Sequence, residues 1–194
     1  RLVICGEYIP FVRWLPFLER WTGMGSFTEG REVVPFRVPE PALKTSVLIC
    51  FEDVFPHGVR EYVDDDTDFL LNLTNNGWFG ESAAQWQHAA NAVFQAVEND
   101  VPLVRCTNNG LTCWVDDRGR MHDVYFPGTS DVYGAGYKLV KVPLLGGHKR
   151  EATFYRRHGD VFGWSCVVWS ALVVGWSWRR RSEMTNAQGP MTRE

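Results

Sequence analysis

The chain has 194 residues, of which 45% are hydrophobic, so it can form one sizeable globular core but is short for two full domains. Its formal net charge of −3 provides no overall positive field of the kind that attracts nucleic acid, and we expect no nucleic-acid partner. The 5 cysteines and 5 histidines lack the spacing of metal ligands. We therefore expect no disulfide framework, no metal and no cofactor.

The N-terminal residues look like the interior of a longer protein. Arg1 is not an initiator methionine, no signal peptide is visible, and residues 2–5 already have the pattern of a strand. We expect the sequence to be a C-terminal fragment, with parts of any active site upstream. Large apolar residues then recur every three or four positions over residues 11–27, which predicts a short amphipathic helix. This segment either packs on the core or forms an apolar arm that contacts lipid.

The next segments predict an edge strand and then a central strand. Residues 32–38 have an extended pattern, and Pro35 within them favours a position at the sheet edge. A turn with Pro39 and Pro41 follows. Residues 45–50 predict a strand, and the apolar run at 47–49 within it favours burial on both faces.

Cys50 is the most informative residue of the chain, because a cysteine at the end of a strand lies at a sheet edge that a substrate can reach. A thiolate is a strong nucleophile, but it needs a nearby cation, base or helix start. The alternative is a small buried hydrophobe. Glu52 and Glu7 could converge on Cys50 or be solvated surface carboxylates. Since carboxylates alone disfavour a thiolate, the pattern predicts a basic partner that no lysine in this sequence obviously supplies.

The middle of the chain predicts alternating helices and strands. Residues 56–63 favour a helix with Asp53 as a possible cap, residues 64–66 a solvated acidic turn rather than a calcium site, and residues 68–74 a buried strand. A loop at residues 75–80 leads to a helix over residues 83–99. Its predicted apolar face consists of Trp86, Ala90, Val93, Phe94 and Val97.

The following residues predict strands at 103–107 and 111–115, a hairpin turn at 116–119, a strand at 121–125 and an extended piece at 131–142. This order indicates a layered α/β domain with mixed sheets.

Residues 161–178 carry no charge and would span about 27 Å as a helix, close to the roughly 30 Å of a bilayer's hydrocarbon core. Tryptophans near both ends and the three arginines at 179–181 favour a transmembrane helix whose C-terminal end is cytoplasmic. The alternative is a buried helix of a soluble core. The polar tail that follows predicts disorder.

Several short motifs, taken together and in order, resemble one family. They are Gly-Glu-Tyr-Ile-Pro-Phe at 6–11, Ile-Cys-Phe-Glu at 49–52, Asn-Asn-Gly-Trp-Phe-Gly at 75–80, Trp-Gln-His at 86–88 and Thr-Asn-Asn-Gly at 107–110. The motifs resemble those of the apolipoprotein N-acyltransferases, the membrane-bound branch of the nitrilase (carbon–nitrogen hydrolase) superfamily. The resemblance extends from residue 2 to about residue 181, with departures such as Phe51 where tyrosine is common.

The resemblance implies an α/β fold, namely part of a nitrilase-like αββα sandwich followed by one C-terminal transmembrane helix. Residues 1–160 would be the C-terminal part of the catalytic domain, residues 161–178 the membrane helix, and residues 179–194 a basic and polar cytoplasmic tail. The catalytic domain would face the periplasm from the bacterial inner membrane.

The resemblance also implies a Glu-Lys-Cys catalytic set. Cys50 would be the nucleophile, Glu7 a second glutamate near the catalytic lysine, and Glu52 the acidic residue two positions after the cysteine. The lysine and the first glutamate base would lie upstream of Arg1. Phe51, through its backbone N–H, would help to hold the oxyanion.

The implied reaction is ping-pong acyl transfer. A phospholipid would donate an acyl chain to Cys50 as a thioester, and the N-terminal diacylglyceryl-cysteine of an apolipoprotein would accept it. Trp78 and Phe79 would shape the lipid entrance or simply pack in the core. Two alternatives stay open: a nitrilase-superfamily amidase or hydrolase acting on a small substrate, and a non-catalytic membrane-tethered module.

Overall fold

The computed structural model describes residues 27–28 and 30–187, with side chains as far as residue 181. Glu7, the strand predicted at 2–5 and nearly all of the helix predicted at 11–27 therefore lie outside the described residues. The chain divides into two compact units, one ending at Arg157 and the other beginning at His158.

A six-stranded mixed sheet forms the first unit. Its strands are β1 (Phe36–Pro39), β2 (Ala42–Ile49), β3 (Phe69–Thr74), β4 (Leu103–Thr107), β5 (Cys113–Val115) and β6 (Met121–His122), and they lie side by side in chain order. The three central strands, β2, β3 and β4, run parallel, and the remaining pairs are antiparallel. The predicted layered α/β fold with a mixed sheet is confirmed.

The parallel strands are joined by crossovers that contain the helices. Between β2 and β3 the chain forms a 3-10 turn (Cys50–Val54), the short helix α1 (Pro56–Val59) and a second 3-10 turn (Arg60–Tyr62). Between β3 and β4 it forms a 3-10 turn (Gly77–Phe79) and the long helix α2 (Ala83–Asn99). The helix predicted at 56–63 is thus broken after its first turn.

The core lies between one face of the sheet and these crossovers. Leu48, Leu70 and Leu103 of three neighbouring strands are fully buried and belong to one hydrophobic cluster, together with alanines of α2. On the opposite face of the sheet Ile49 is 55% exposed and Leu73 is 42% exposed. The described residues therefore cover β2 on one face, and the predicted cover on its other face stays a prediction.

Helix α2 has the predicted bounds but presents a different face to the sheet. The buried residues include Gln85, His88 and several alanines, whereas Trp86 and Phe94 are 43% and 63% exposed. Small alanines allow a helix to approach a sheet closely, and the buried polar side chains reach loops at the sheet edge. The prediction of an apolar inner face was wrong because it followed hydrophobicity alone.

The last elements are a hairpin and two helices. The predicted turn between β5 and β6 is confirmed, with Asp116 accepting hydrogen bonds from the N–H groups of Arg118 and Arg120. Strand β6 is shorter than predicted, and residues 131–142 form no strand. Helix α3 (Phe154–His158) precedes helix α4 (Val161–Ala187). Within α4, the 21-residue stretch from Val161 to Arg181 is long enough, and apolar enough over an 18-residue window, to cross a membrane, and none of it is buried.

Candidate active site

The predicted nucleophile lies where the parallel strands end. Cys50 directly follows β2, Thr74 is the last residue of β3, and Thr107 is the last residue of β4. The register pairs Ile49 with Leu73 and Thr74 with Thr107, so these three positions are neighbours along one edge. The carboxyl ends of parallel strands are where α/β proteins place their ligand sites.

Cys50 forms a sharp elbow in the backbone. Its φ angle is +50°, in the left-handed region, which costs a residue other than glycine roughly 1–2 kcal/mol. The side-chain amide of Asn72 donates a hydrogen bond of 3.0 Å to the Cys50 carbonyl oxygen. On the other side, the N–H of Ile49 donates one of 2.8 Å to the Glu52 carboxylate. Such strained positions persist only where their surroundings fix them, and they cluster at functional sites.

Glu52 therefore contacts the elbow itself. One carboxylate oxygen accepts from Ile49, and the other accepts a hydrogen bond of 3.3 Å from the hydroxyl of Tyr62. The carboxylate holds the backbone directly before the nucleophile. A catalytic role for Glu52 stays a prediction, and Glu7 lies outside the described residues.

A buried polar network lies behind the elbow. Asp53 is fully buried and its two oxygens have different partners: His88 Nε2 at 2.9 Å and Arg105 Nη1 at 2.7 Å. Arg105 also donates a hydrogen bond of 3.0 Å to Asn72, whose amide holds the Cys50 carbonyl. The sequence-based prediction of Asp53 as a helix cap is wrong, because its carboxylate points into this network.

The network continues to the thiol. Asn76 is fully buried, and its Oδ1 lies 2.8 Å from Nδ1 of His88 and 3.4 Å from the hydroxyl oxygen of Thr74. That hydroxyl donates a hydrogen bond of 3.2 Å to the sulfur of Cys50. A continuous chain of polar contacts thus joins the nucleophile to a buried ion pair.

Arg105 is a cation that the sequence analysis missed. Burial lowers the pKa of its guanidinium, while the nearby Asp53 carboxylate and the thiols of Cys113 and Cys50 oppose that shift. Its Nε and Nη2 atoms have no partner among the described residues, which leaves Asp53 and Asn72 as the groups that hold it. The signal was an arginine at a core position of the Leu-Val-Arg-Cys-Thr strand, since a buried arginine requires an acidic partner.

Cys113 offers a contrast with Cys50. It lies on β5 directly opposite Arg105, and burial raises the pKa of its thiol to about 11. A thiol in that state is inert near neutral pH. Cys50 is half-buried and lies at the open edge of the sheet.

Of the residues predicted to contact substrate, Phe51 packs against neighbouring rings, whereas Trp78 and Phe79 are exposed. The Phe51 ring packs against the rings of Phe55 and His88, each with a centroid distance of 5.9 Å. Trp78 and Phe79, in the 3-10 turn after β3, are 84% and 45% exposed. The side-chain amide of Gln85 fixes the ends of that turn, with hydrogen bonds of 3.0 Å to the Asn76 carbonyl and 2.8 Å to the Gly80 carbonyl. A role for these aromatic residues in binding substrate stays a prediction.

Two cavities lie near this part of the sheet. The larger, about 670 Å³, is lined by Glu52, Phe55 and Tyr62 among others. The second, about 490 Å³, is lined by residues that include Cys106, Thr107 and Lys138. No group of three or more His, Cys, Asp or Glu side chains within the described residues is placed to hold a metal ion.

A family model described as carbon-nitrogen hydrolase matches residues 14–140. The chain belongs to the carbon–nitrogen hydrolase family. The matched residues include β1 to β6, the Cys50 elbow and the buried network behind it.

The chain is also similar to curated proteins named apolipoprotein N-acyltransferase, which confirms the resemblance seen in the motifs. The protein from Geobacter metallireducens is 38% identical over 182 residues, which are 93% of this chain and 33% of that protein. The protein from Vibrio cholerae is 41% identical over an alignment of 186 residues, which covers 91% of this chain and 33% of that protein. The chain thus spans about a third of the length of these relatives.

Solved structures of the nitrilase superfamily are more distant. An amidase from Nesterenkonia is 20% identical with a TM-score of 0.39, and the match covers 50% of this chain and 38% of that one. A branch 10 member from Saccharomyces cerevisiae is 18% identical with a TM-score of 0.40, covering 52% and 39%.

Proposed function

We propose that this chain carries the nucleophile of an N-acyltransferase that transfers a fatty acyl chain from a phospholipid to an apolipoprotein. The observation that carries the proposal is the Cys50 elbow: a strained, half-buried cysteine at the carboxyl edge of a parallel sheet, with a hydroxyl donor on its sulfur. The names of the relatives supply the reaction class and the apolipoprotein acceptor. The phospholipid donor follows the resemblance to that family.

The reaction has two halves. The Cys50 sulfur attacks the ester carbonyl carbon of the phospholipid, the C–S bond forms, and the C–O bond to glycerol breaks. A carboxylate base carries the thiol proton to the leaving oxygen, and a lysophospholipid departs. The α-amino group of a diacylglyceryl-cysteine then attacks the thioester carbonyl carbon, the C–N bond forms and the C–S bond breaks. The carboxylate base takes the amine proton and returns it to the sulfur, which has recovered its electron pair.

The catalytic partners follow the resemblance. A glutamate base and a lysine for the oxyanion are expected upstream of Arg1, and Glu7 would be the second glutamate of the catalytic set. The N–H of Phe51 would be a second oxyanion donor. The carboxylate of Glu52 would keep the elbow in position, and its hydrogen bond from Ile49 supports that role.

The described sheet would be one layer of a nitrilase-like αββα sandwich, in which a second sheet packs on its uncovered face. Ile49 and Leu73 on that face are both more than 40% exposed. Apolar side chains on a sheet face favour burial against another layer, which supports the sandwich.

Lipid would enter past the 3-10 turn after β3. A tryptophan that is 84% exposed has a large apolar surface in contact with solvent, and Trp78 is held two residues beyond the buried Asn76. Tryptophan at such a position suits a lipid–water boundary. This feature favours a lipid substrate over the small soluble substrates of an amidase.

Helix α4 would anchor the protein in the bacterial inner membrane. Its apolar stretch ends at three arginines, which by the positive-inside rule keep the C-terminal end cytoplasmic and the catalytic unit on the periplasmic side. We expect the 194-residue chain to resist carbonate extraction from membranes, and a version truncated after Asp160 to be released. Release of the intact chain would contradict the anchor.

The nucleophile is tested in the full-length protein with Cys50→Ser and with Cys106→Ser as the matched control, since Cys106 is an exposed cysteine on β4 of the same sheet. After incubation with phospholipid, mass spectrometry should find a hydroxylamine-labile acyl group on Cys50 of the wild type and of Cys106→Ser. Cys50→Ser should lose acyl transfer by about 10³-fold or more. Transfer that survives in Cys50→Ser would refute the assignment.

The same assay separates the alternatives. Acyl groups that pass to a lipopeptide amine support the transferase, whereas release of free fatty acid or hydrolysis of a small amide, with no amine product, would favour a hydrolase. A folded protein with an unmodified Cys50 would favour a non-catalytic module.

A further inference from the structure

The hydroxyl of Thr74 lies against the sulfur of Cys50. The distance from Oγ1 to Sγ is 3.2 Å, and the distance from Oγ1 to the Asn76 side-chain oxygen is 3.4 Å. A hydroxyl has one hydrogen, so it can donate fully to only one of these two acceptors. Oxygen acceptors are normally about 2.7–2.8 Å from a hydroxyl, so 3.4 Å is long for Asn76. Sulfur is the larger atom, and 3.2 Å is close for it; the hydrogen therefore points to the sulfur.

The fold places this hydroxyl with little freedom. The parallel register that pairs Ile49 with Leu73 brings Cys50 beside Thr74 at the next position. Thr74 is only 8% exposed, and a β-branched side chain within a strand has a restricted χ1 angle. Little side-chain entropy is therefore lost when the hydroxyl is held at the sulfur.

The buried network keeps the competing acceptor engaged. Asn76 Oδ1 contacts His88 at 2.8 Å, which is much closer than its 3.4 Å contact with Thr74. His88 is in turn held at 2.9 Å by Asp53, which is paired with Arg105. The asparagine is thus fixed from behind by the His88 ring, and the sulfur stays the better acceptor for the Thr74 hydrogen.

We propose that Thr74 is a catalytic hydrogen-bond donor to the sulfur of Cys50. This inference rests on the proposed function, in which that sulfur is the nucleophile. In the first half-reaction the hydroxyl stabilises the thiolate and keeps its attacking lone pair at the open edge. In the second, the C–S bond of the thioester breaks, its electron pair returns to sulfur, and the Thr74 hydrogen bond stabilises that developing negative charge. Thr74 keeps its proton throughout, and the proton of the attacking amine goes to the carboxylate base.

The test compares Thr74→Val, which keeps the shape but removes the hydroxyl, with Thr74→Ser, which keeps the hydroxyl. Thr45→Val is the matched control, because Thr45 is also 8% exposed on a strand of the sheet but donates its hydroxyl hydrogen bond to the Phe69 carbonyl, away from Cys50. All three are made in the full-length protein and assayed for kcat and KM with phospholipid and a lipopeptide acceptor. Cys50→Ser is measured alongside.

We expect Thr74→Val to lower kcat by about 10- to 100-fold with KM nearly unchanged, as for loss of a hydrogen bond to a charged reacting atom. Thr74→Ser should stay within about 3-fold of the wild type, and so should Thr45→Val. If Thr74→Val shows no cooperative thermal unfolding, Thr74→Ala takes its place against Thr74→Ser.

The outcomes separate the inference from the function on which it rests. If Cys50→Ser is inactive while Thr74→Val keeps at least half of the wild-type kcat, the role of Thr74 is refuted and the nucleophile stands. The same holds if Thr74→Ser is as slow as Thr74→Val, because packing would then explain the loss. If Cys50→Ser remains active, the proposed function and this inference both fail.

Discussion

The two ends of the parallel strands carry ion pairs in opposite environments. At the carboxyl end, Asp53 and Arg105 are both fully buried and bond to each other behind the nucleophile. At the amino end, the Lys44 side chain is 6% exposed, but its ammonium group pairs with the carboxylates of Asp64 and Asp66, which are 64% and 43% exposed. One sheet therefore contains a fully buried ion pair at one end and an ion pair with exposed carboxylates at the other.

The difference between these ends lies in what happens when a partner is removed. A buried charge that loses its partner is not hydrated, so removal of one partner greatly lowers the free energy of unfolding. An exposed carboxylate that loses its partner is simply hydrated, and surface pairs contribute little to stability. The buried pair at the carboxyl end can thus fix the position of Cys50. The pair at the amino end contacts the Asp64–Asp66 turn but contributes little to its stability.

The largest expected effect is from Arg105→Met, which leaves the Asp53 carboxylate buried with His88 as its remaining side-chain partner. We expect the free energy of unfolding to fall by roughly 3–5 kcal/mol, against less than about 1 kcal/mol for Lys44→Met at the amino end. Thermal and denaturant unfolding in detergent measures both. The double variant Asp53→Leu, Arg105→Met removes both charges and should be more stable than Arg105→Met alone. Equal losses for Arg105→Met and Lys44→Met would abolish the contrast between the two ends.

A smaller effect is expected at Gly110, whose φ angle is +102°. A Cβ atom there would lie 2.2 Å from the Oε1 of Gln85, the side chain that fixes the turn bearing Trp78. Gly128→Ala is the matched control, since Gly128 has a φ of +76° and nothing within 4 Å of a Cβ. We expect Gly110→Ala to cost roughly 2–3 kcal/mol and Gly128→Ala about 1 kcal/mol.

The difference between these two glycine variants isolates the contact with Gln85, because both carry the backbone penalty of a positive φ. Unfolding midpoints and acyl-transfer rates measure it. If both variants lose the same stability, the carboxyl-end turn does not depend on packing around Gln85, and that end is less rigid than the buried pair indicates.

The positions of the strands and the long helix were predictable from the sequence. Periodicity and breaker residues gave the bounds of α2 correctly, where Asp100 ends the helix with a left-handed φ of +54°. The parallel strands β3 and β4 were equally clear from their apolar runs. Cys50 was correctly placed at the end of a strand, but its left-handed conformation carries no signal in composition or spacing.

The buried network was not predictable, because its members are polar and far apart in the sequence. Asp53 and His88 are 35 positions apart on two different crossovers, and each alone has the composition of a surface residue. The aromatic residues of α2 indicated the wrong face for the same reason: hydrophobicity identifies apolar surface but not which surface the second layer covers. Only the parallel register, which pairs Asn72 with Arg105, shows that these side chains meet.

The smallest expected effect is from Asp66→Asn at the amino end. The hydrogen bond from Lys44 lowers the pKa of Asp66 below its ordinary value of 3.8, and Lys44 itself has a raised pKa because its two carboxylate partners outweigh its burial. A lowered pKa means that the folded state favours the carboxylate. The stabilisation is therefore present above pH 3.8 and is lost as the pH falls through the lower folded value.

The wild type should exceed Asp66→Asn in unfolding free energy by less than about 0.5 kcal/mol near pH 7, since Asp66 is partly exposed and screened by solvent. The difference should vanish below the folded pKa, and it should also shrink in about 0.5 M salt. The loss in Arg105→Met should hardly respond to salt, because a buried pair is screened much less. An Asp66→Asn difference that is constant across pH and salt would mean that Asp66 acts through packing, and the two ends of the sheet would then differ in burial without differing in electrostatics.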